Sequence, residues 1–165
     1  MGMHEPLPAG ASRILRIDKV IGDSIECHRD CHDLESPPEY SAISYTWGYA
    51  EEAEFLQEGA QPTDHTGCTV QVNGRAVTVT PNLFDLLTEF GRLYPSTINY
   101  WIDALCINQS DTHERMIQVN QMDQVYGKAF NVVVWLGKEN SAFAKVHIMI
   151  KTLASTFPES SWPRT

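Results

Sequence analysis

The sequence predicts an α/β domain: a mostly parallel sheet flanked by helices, with an added β-hairpin and extra N-terminal strands. Three observations predict it. The runs YSAISYTW (40–47), INYWID (98–103) and NVVVWLG (131–137) are β-branched and aromatic and nearly free of charge, the composition of strands covered on both faces. The segments after them have helical spacing, and strand–helix alternation builds parallel sheets. By contrast, CTVQVNGRAVTVT (68–80) alternates with period two about Asn73-Gly74, the signature of a two-residue type I′ hairpin, and is expected to stand apart as a separate hairpin.

Taken in order, SRILRIDKV (12–20) reads as a strand, with DSIECHRD as its partner across a Gly22-Asp23 turn and as an edge strand. Residues 49–68 are acidic and aperiodic and read as a long loop, with one helical turn near 53–56. Thr80-Pro81 opens a helix, a hydroxyl at the N-cap and proline at the first helical position, and Leu83, Leu86, Leu87 and Phe90 form its core stripe. Asp111 to Glu114 reads as a capping box, starting a helix with Val119, Met122, Tyr126 and Ala129 inward and a stop near Gly127. The run 131–137, the most apolar in the chain, is expected at the centre of the sheet. A last helix from Asn140 or Ser141 would turn Ala142, Val146, Met149, Ile150 and Leu153 inward. Residues 1–39 are read as N-terminal strands of the same domain, 40–154 as its core, and 155–165 as a tail that begins a linker.

Composition narrows the function. The chain has 165 residues, 42% of them hydrophobic, and no apolar run long enough for a membrane span. A net charge of -9 with only 12 Lys and Arg argues against a nucleic-acid surface. The N-terminus MGMHEPLPAG lacks a signal-peptide core and the hydroxyl of a myristoylation motif, so a cytoplasmic location is expected. Cys27, Cys31, Cys68 and Cys106 read as free thiols. ECHRDCHDL crowds two Cys and two His together. It lacks the second downstream pair of a zinc site, and a strand would split the set between its faces, so no metal is expected.

Chemistry concentrates in YWIDALCINQSDTHER (100–115). In open α/β sheets ligands sit beyond the carboxyl ends of the strands, which is where Asp103 is expected. The end of the strand before it, residues 44–48, shares that rim, giving Ser44, Tyr45, Trp47 and Gly48 as ligand contacts with Asn108 and Gln109. Arg115, in the first turn of a helix, is a fork-shaped donor for phosphate oxygens. Asp103 and Glu114 are the candidate catalytic acids of a single nucleotide-sized pocket. Each also has a structural role open to it: Asp103 in a turn, Asn108 and Gln109 on loop backbone, Glu114 in the capping box, Arg115 paired with Glu114 or Asp111. Trp47 and Trp101 also suit the core.

YSAISYTWG, PNLFDLL and YWIDALCINQSDTHERMIQVNQMDQVYGKAFNVVVWLG together resemble the heterokaryon-incompatibility (HET) domain of filamentous fungi over residues 40–137. The resemblance implies a module of nonself recognition whose activation triggers growth arrest or programmed cell death, with itself, on oligomerisation, or other nonself-recognition proteins as partners. The family is similar in turn to TIR domains, with a flavodoxin-like sheet and, in several lineages, cleavage of NAD. That analogy makes 40–47, 98–103 and 131–137 the first three TIR strands. It requires no cofactor and names NAD as a candidate substrate. TIR enzymes carry a catalytic glutamate in the helix after the third strand, and residues 141–154 contain no acid. Glu139 is the nearest substitute.

Overall fold

The computed structural model describes residues 6–46 and 67–137. Their strands are β1 (Ala11–Ile21), β2 (Ser24–Asp33), β3 (Ser41–Tyr45), β4 (Cys68–Val72), β5 (Arg75–Val79), β6 (Asn99–Trp101) and β7 (Asn131–Trp135). They form one sheet in the order β5-β4-β2-β1-β6-β3-β7. The helices are α1 (Pro81–Leu93), α2 (Asp103–Cys106), α3 (Thr112–Asn120) and α4 (Met122–Lys128).

Local chemistry explains the well-formed elements. Gly22, at φ +55, turns β1 into β2, and the pair runs antiparallel from Ala11↔Asp33 to Ile21↔Ser24 with a register shift between Ile17 and Lys19. Asn73 and Gly74 both have positive φ, as a type I′ turn demands. Thr80 caps α1 by accepting the Leu83 N–H, Pro81 occupies the first turn, and Leu83, Leu86 and Leu87 are buried. Helix α1 packs over β1, β2 and β4. The three runs read as one parallel set are neighbours, with β6 and β7 both parallel to the central β3.

The sheet as a whole is mixed rather than mostly parallel. Pairings β2–β4, β3–β6 and β3–β7 are parallel, whereas β1–β2, β1–β6 and β4–β5 are antiparallel. The 68–80 hairpin is not separate. Gln71 and Val72 pair with Glu26 and Cys27, and the Asn73 side chain extends the contact, accepting the Arg29 N–H and donating to the Arg29 carbonyl, each at 2.8 Å. This makes β2 an interior strand, not an edge. Its polar alternation reflects one wet face, with Glu26 and Asp30 exposed and Ile25, Cys27 and Arg29 buried, and says nothing about edges.

Conversely, β7 pairs only with β3 among the described residues and is the edge of their sheet, not its centre. Val132, Val133 and Trp135 meet the core, but Val134 and Leu136 are exposed, so an apolar run need not be covered throughout. Strand β6 stops at Trp101, and Asp103 begins α2 instead of ending a strand. The expected single helix is divided at Gln121 into α3 and α4, and it ends at Lys128. The loop at 49–66, Trp47, Gly48, Glu139 and the helix expected from 140 onward lie outside the described residues.

Gly91 marks the tightest contact of α1. A Cβ there would come within 2.4 Å of Val20 Cγ2 and 2.7 Å of Ile17 Cγ2. Helix propensity alone would make Gly91→Ala stabilising by about 1 kcal/mol, but overpacking against two β-branched strand residues costs about 1–3 kcal/mol. A net loss of stability in urea unfolding is therefore expected; a rise in the midpoint would contradict this packing.

Candidate functional site

The chain leaving β6 is fastened to β1 and β2 by two arginines. Helix α2 is a single turn, in which the Ile102 carbonyl accepts the N–H groups of Leu105 (3.0 Å) and Cys106 (2.8 Å). Such a turn leaves its last carbonyls without helical partners. Arg13 Nη1 donates to the Cys106 carbonyl at 3.0 Å, and Arg29 Nη1 donates to that of Leu105. Arg13 then grips Glu114 in a fork, Nη1–Oε1 2.6 Å and Nη2–Oε2 3.1 Å, while Oε1 also accepts the Asn108 N–H at 2.7 Å. The pair is nearly dry, Arg13 being 4% and Glu114 8% exposed.

One turn further along α3, Gln118 repeats the pattern. Its Oε1 accepts from Ser12 Oγ at 2.7 Å and its Nε2 donates to the Ala11 carbonyl at 2.8 Å. Ser12 Oγ in turn accepts the Trp101 indole N–H at 3.0 Å, giving that buried ring the partner it requires. Asp111 caps α3 through the N–H groups of His113 and Glu114. The Asp111 half of the capping box is made, and the Glu114 carboxylate turns inward to Arg13. Met122, Tyr126 and Ala129 pack against the core as expected, but the fully buried positions of the 112–128 segment are Glu114, Gln118 and Val125, and Val119 faces solvent.

A second polar fastening lies at the end of β3. Buried Asn82, in the first turn of α1, donates through Nδ2 to the Thr46 carbonyl at 2.7 Å and accepts the Trp135 indole N–H through Oδ1 at 2.8 Å. It ties the ends of β3 and β7 to α1.

Between these fastenings opens a cleft of about 260 Å³. Val77, Val79, Leu83, Ala104 and Ile107 form its apolar part; Tyr45, Thr78, Thr80, Asn108, Gln109 and Ser110 supply hydroxyls and amides. Of the residues singled out in the sequence, Tyr45, Asn108 and Gln109 line it. Ser44 and Arg115 are exposed and do not, and Glu114 is held inside the Arg13 pair. Asp103 is half-buried beside the lining residue Ala104, whose N–H it accepts at 2.7 Å. Burial, and secondarily the Asp103 charge, push the hydroxyl pKa values of Tyr45 and Tyr126 up, so both remain neutral. The described lining offers hydrogen bonds around an apolar floor, with no charged side chain.

The wall contributed by 77–80 and Leu83 has no signal in the sequence, because nothing local says that the end of the hairpin and the start of α1 approach the 104–110 loop. Among the described residues no three Cys, His, Asp or Glu side chains come together as metal ligands. Cys27 is buried while Cys31 is exposed. No helix among the described residues is long and apolar enough to cross a membrane.

The family model described as "Heterokaryon incompatibility protein (HET)" matches residues 40–162. The chain belongs to the HET family. It is 31% identical over 122 residues to "Heterokaryon incompatibility protein 6, OR allele" of Neurospora crassa, a match covering 70% of this chain and 17% of that protein. The chain therefore spans less than a fifth of the curated relative's length. No solved structure matches it.

One side of each fastening falls in the HET-like blocks, while Arg13, Arg29 and Ser12 lie before them. Trp101, Cys106, Asn108, Glu114 and Gln118 belong to the long HET-like block, Asn82 to PNLFDLL, and Trp135 to NVVVWLG. These residues hold strands and loops of the domain together.

Cys106, inside the long block, is fully buried, and burial pushes its thiol up to about 12 against the smaller pull of Arg29, Arg13 and the Ile102 N–H. Burial does the same to Cys27, also to about 12. With an aromatic disulfide reagent near neutral pH, Cys31 and Cys68 are expected to react in the native HET domain, and Cys27 and Cys106 only after unfolding. Four equally fast thiols would contradict the burial of the block.

Proposed function

We propose that this HET domain is an effector of fungal nonself recognition in heterokaryon incompatibility, and that it signals by association with a second copy of itself. Helix α3 carries the reading. Its inward face is polar, Glu114 and Gln118, while Met116 (58% exposed), Val119 (52%) and Ile117 (38%) meet solvent. Solvated helices ordinarily do the reverse. Covering such side chains contributes on the order of 1 kcal/mol each, enough to support a reversible contact. The net charge of -9 opposes that contact until salt screens it. On this reading the module acts in the cytoplasm and its assembly leads to growth arrest or programmed cell death.

A second reading, TIR-like hydrolysis of NAD, is favoured by the strand order. β6-β3-β7 is parallel and reads second-first-third in chain order, as in flavodoxin-like sheets. The chemistry requires a carboxylate beside an oxocarbenium-like ribose. Asp103 and Glu139 are the acids left for that task, since both Glu114 oxygens are held by Arg13.

Sedimentation of the purified domain, read beside cell killing and nicotinamide release from NAD, separates the two. Association that strengthens with salt is expected for the native chain, with monomers and loss of killing for Met116→Glu/Val119→Glu, and no nicotinamide. Nicotinamide release that disappears in Asp103→Asn or Glu139→Gln would replace association with hydrolysis.

A further inference from the structure

The cleft at the end of β3 has a polarity of its own, independent of whether the domain self-associates. At about 260 Å³ it falls just under the roughly 300–1,000 Å³ of ordinary small-molecule sites, so it suits one ring with its substituents and not a dinucleotide. Its floor, including Val77, Leu83 and Ile107, favours a flat apolar face.

The rim has a direction. Asn108 Oδ1 accepts the Ser110 N–H at 3.2 Å, which fixes the side-chain amide and leaves Nδ2 as a donor. Gln109 Nε2 donates to the Asp103 carbonyl at 3.1 Å, which leaves Oε1 as an acceptor. Backbone partners set both amide orientations. Among the described residues neither Asn108 Nδ2 nor Gln109 Oε1 has a hydrogen-bond partner, and no Lys, Arg, His, Asp or Glu lines the cleft. An anionic ligand group would give up its water there without a counter-charge and near the Asp103 charge that acts on Tyr45, which is costly. A neutral group that both accepts and donates would meet matched partners.

We propose that the cleft binds a flat, uncharged ring bearing a carboxamide-type edge, its carbonyl accepting from Asn108 Nδ2 and its N–H donating to Gln109 Oε1. The ring lies on the apolar floor, with Tyr45 and the hydroxyls of Thr78 and Ser110 around it. Phosphate is not part of this site, since Arg115 does not line it.

The test uses two isosteric probes, benzamide and benzoate, titrated into the wild-type chain and followed by the backbone amide resonances of residues 104–110. Benzamide is expected to shift them with roughly millimolar affinity, as befits a fragment, and benzoate to bind at least tenfold more weakly. Gln109→Met, which keeps the side-chain length and removes the acceptor, is expected to weaken benzamide by about fivefold to tenfold. If that variant does not fold, the comparison of amide with acid on the wild-type chain still decides. Benzoate binding as tightly as benzamide, benzamide shifts mapping elsewhere or missing, or unchanged affinity in folded Gln109→Met would each overturn the proposal. None of these results depends on sedimentation behaviour, so this inference and the association reading fail separately.

Discussion

The buried fork between Arg13 and Glu114 is the contact on which the rest of the described structure depends. Removing a guanidinium and a carboxylate from water costs several kcal/mol for each ion. A buried pair survives that cost only when the remaining donors and acceptors are filled as well. Here they are: the Cys106 carbonyl takes one Arg13 proton, and the Asn108 N–H takes up a Glu114 oxygen. The same four groups fix where the chain goes after β6. They hold the 102–111 loop against β1 and set the angle at which α3 leaves it.

Two consequences follow from that angle. With Glu114 and Gln118 committed to Arg13, Ser12 and Ala11, the opposite side of α3 must face solvent, and it carries Met116 and Val119. The 104–110 stretch is held where it can form one wall of the cleft, and Asn82 brings the ends of β3 and β7 to the start of α1 on the other side. The apolar surface and the polar cleft both depend on the same buried fastenings, although no residue of the Arg13–Glu114 pair belongs to either.

Much of this was legible where the deciding physics is local. Asn73-Gly74 demands its turn, Thr80-Pro81 starts a helix whatever lies around it, and the low charge of 40–47, 98–103 and 131–137 placed those runs together as parallel neighbours. What was not legible is non-local. Arg13 and Glu114 lie 101 residues apart, and no spacing rule connects them. The inward stripe of α3 is polar, so apolar periodicity points to Val119, on the wrong side. Alternation along β2 and apolarity along β7 report which faces are dry, but neither reports which strand has a free edge. For that reason composition puts β2 outside and β7 inside, the reverse of the order β5-β4-β2-β1-β6-β3-β7. Tyr45 ends β3, and Asn108 and Gln109 lie in the loop that runs on from β6 through α2, so the order of strands points to them; the opposite wall of the cleft has no such marker.

The most direct measurement is a double-mutant cycle on the buried pair, with Arg13→Met, Glu114→Leu and the double variant compared by urea unfolding. Either single change strands a charge in a dry site and is expected to cost about 3–5 kcal/mol. The double variant, with both charges gone, should recover a large part of that loss, giving a coupling energy of at least about 2 kcal/mol. Losses that simply add, to within about 0.5 kcal/mol, would mean that the two side chains do not act as a unit and that something else holds the 102–111 loop in place.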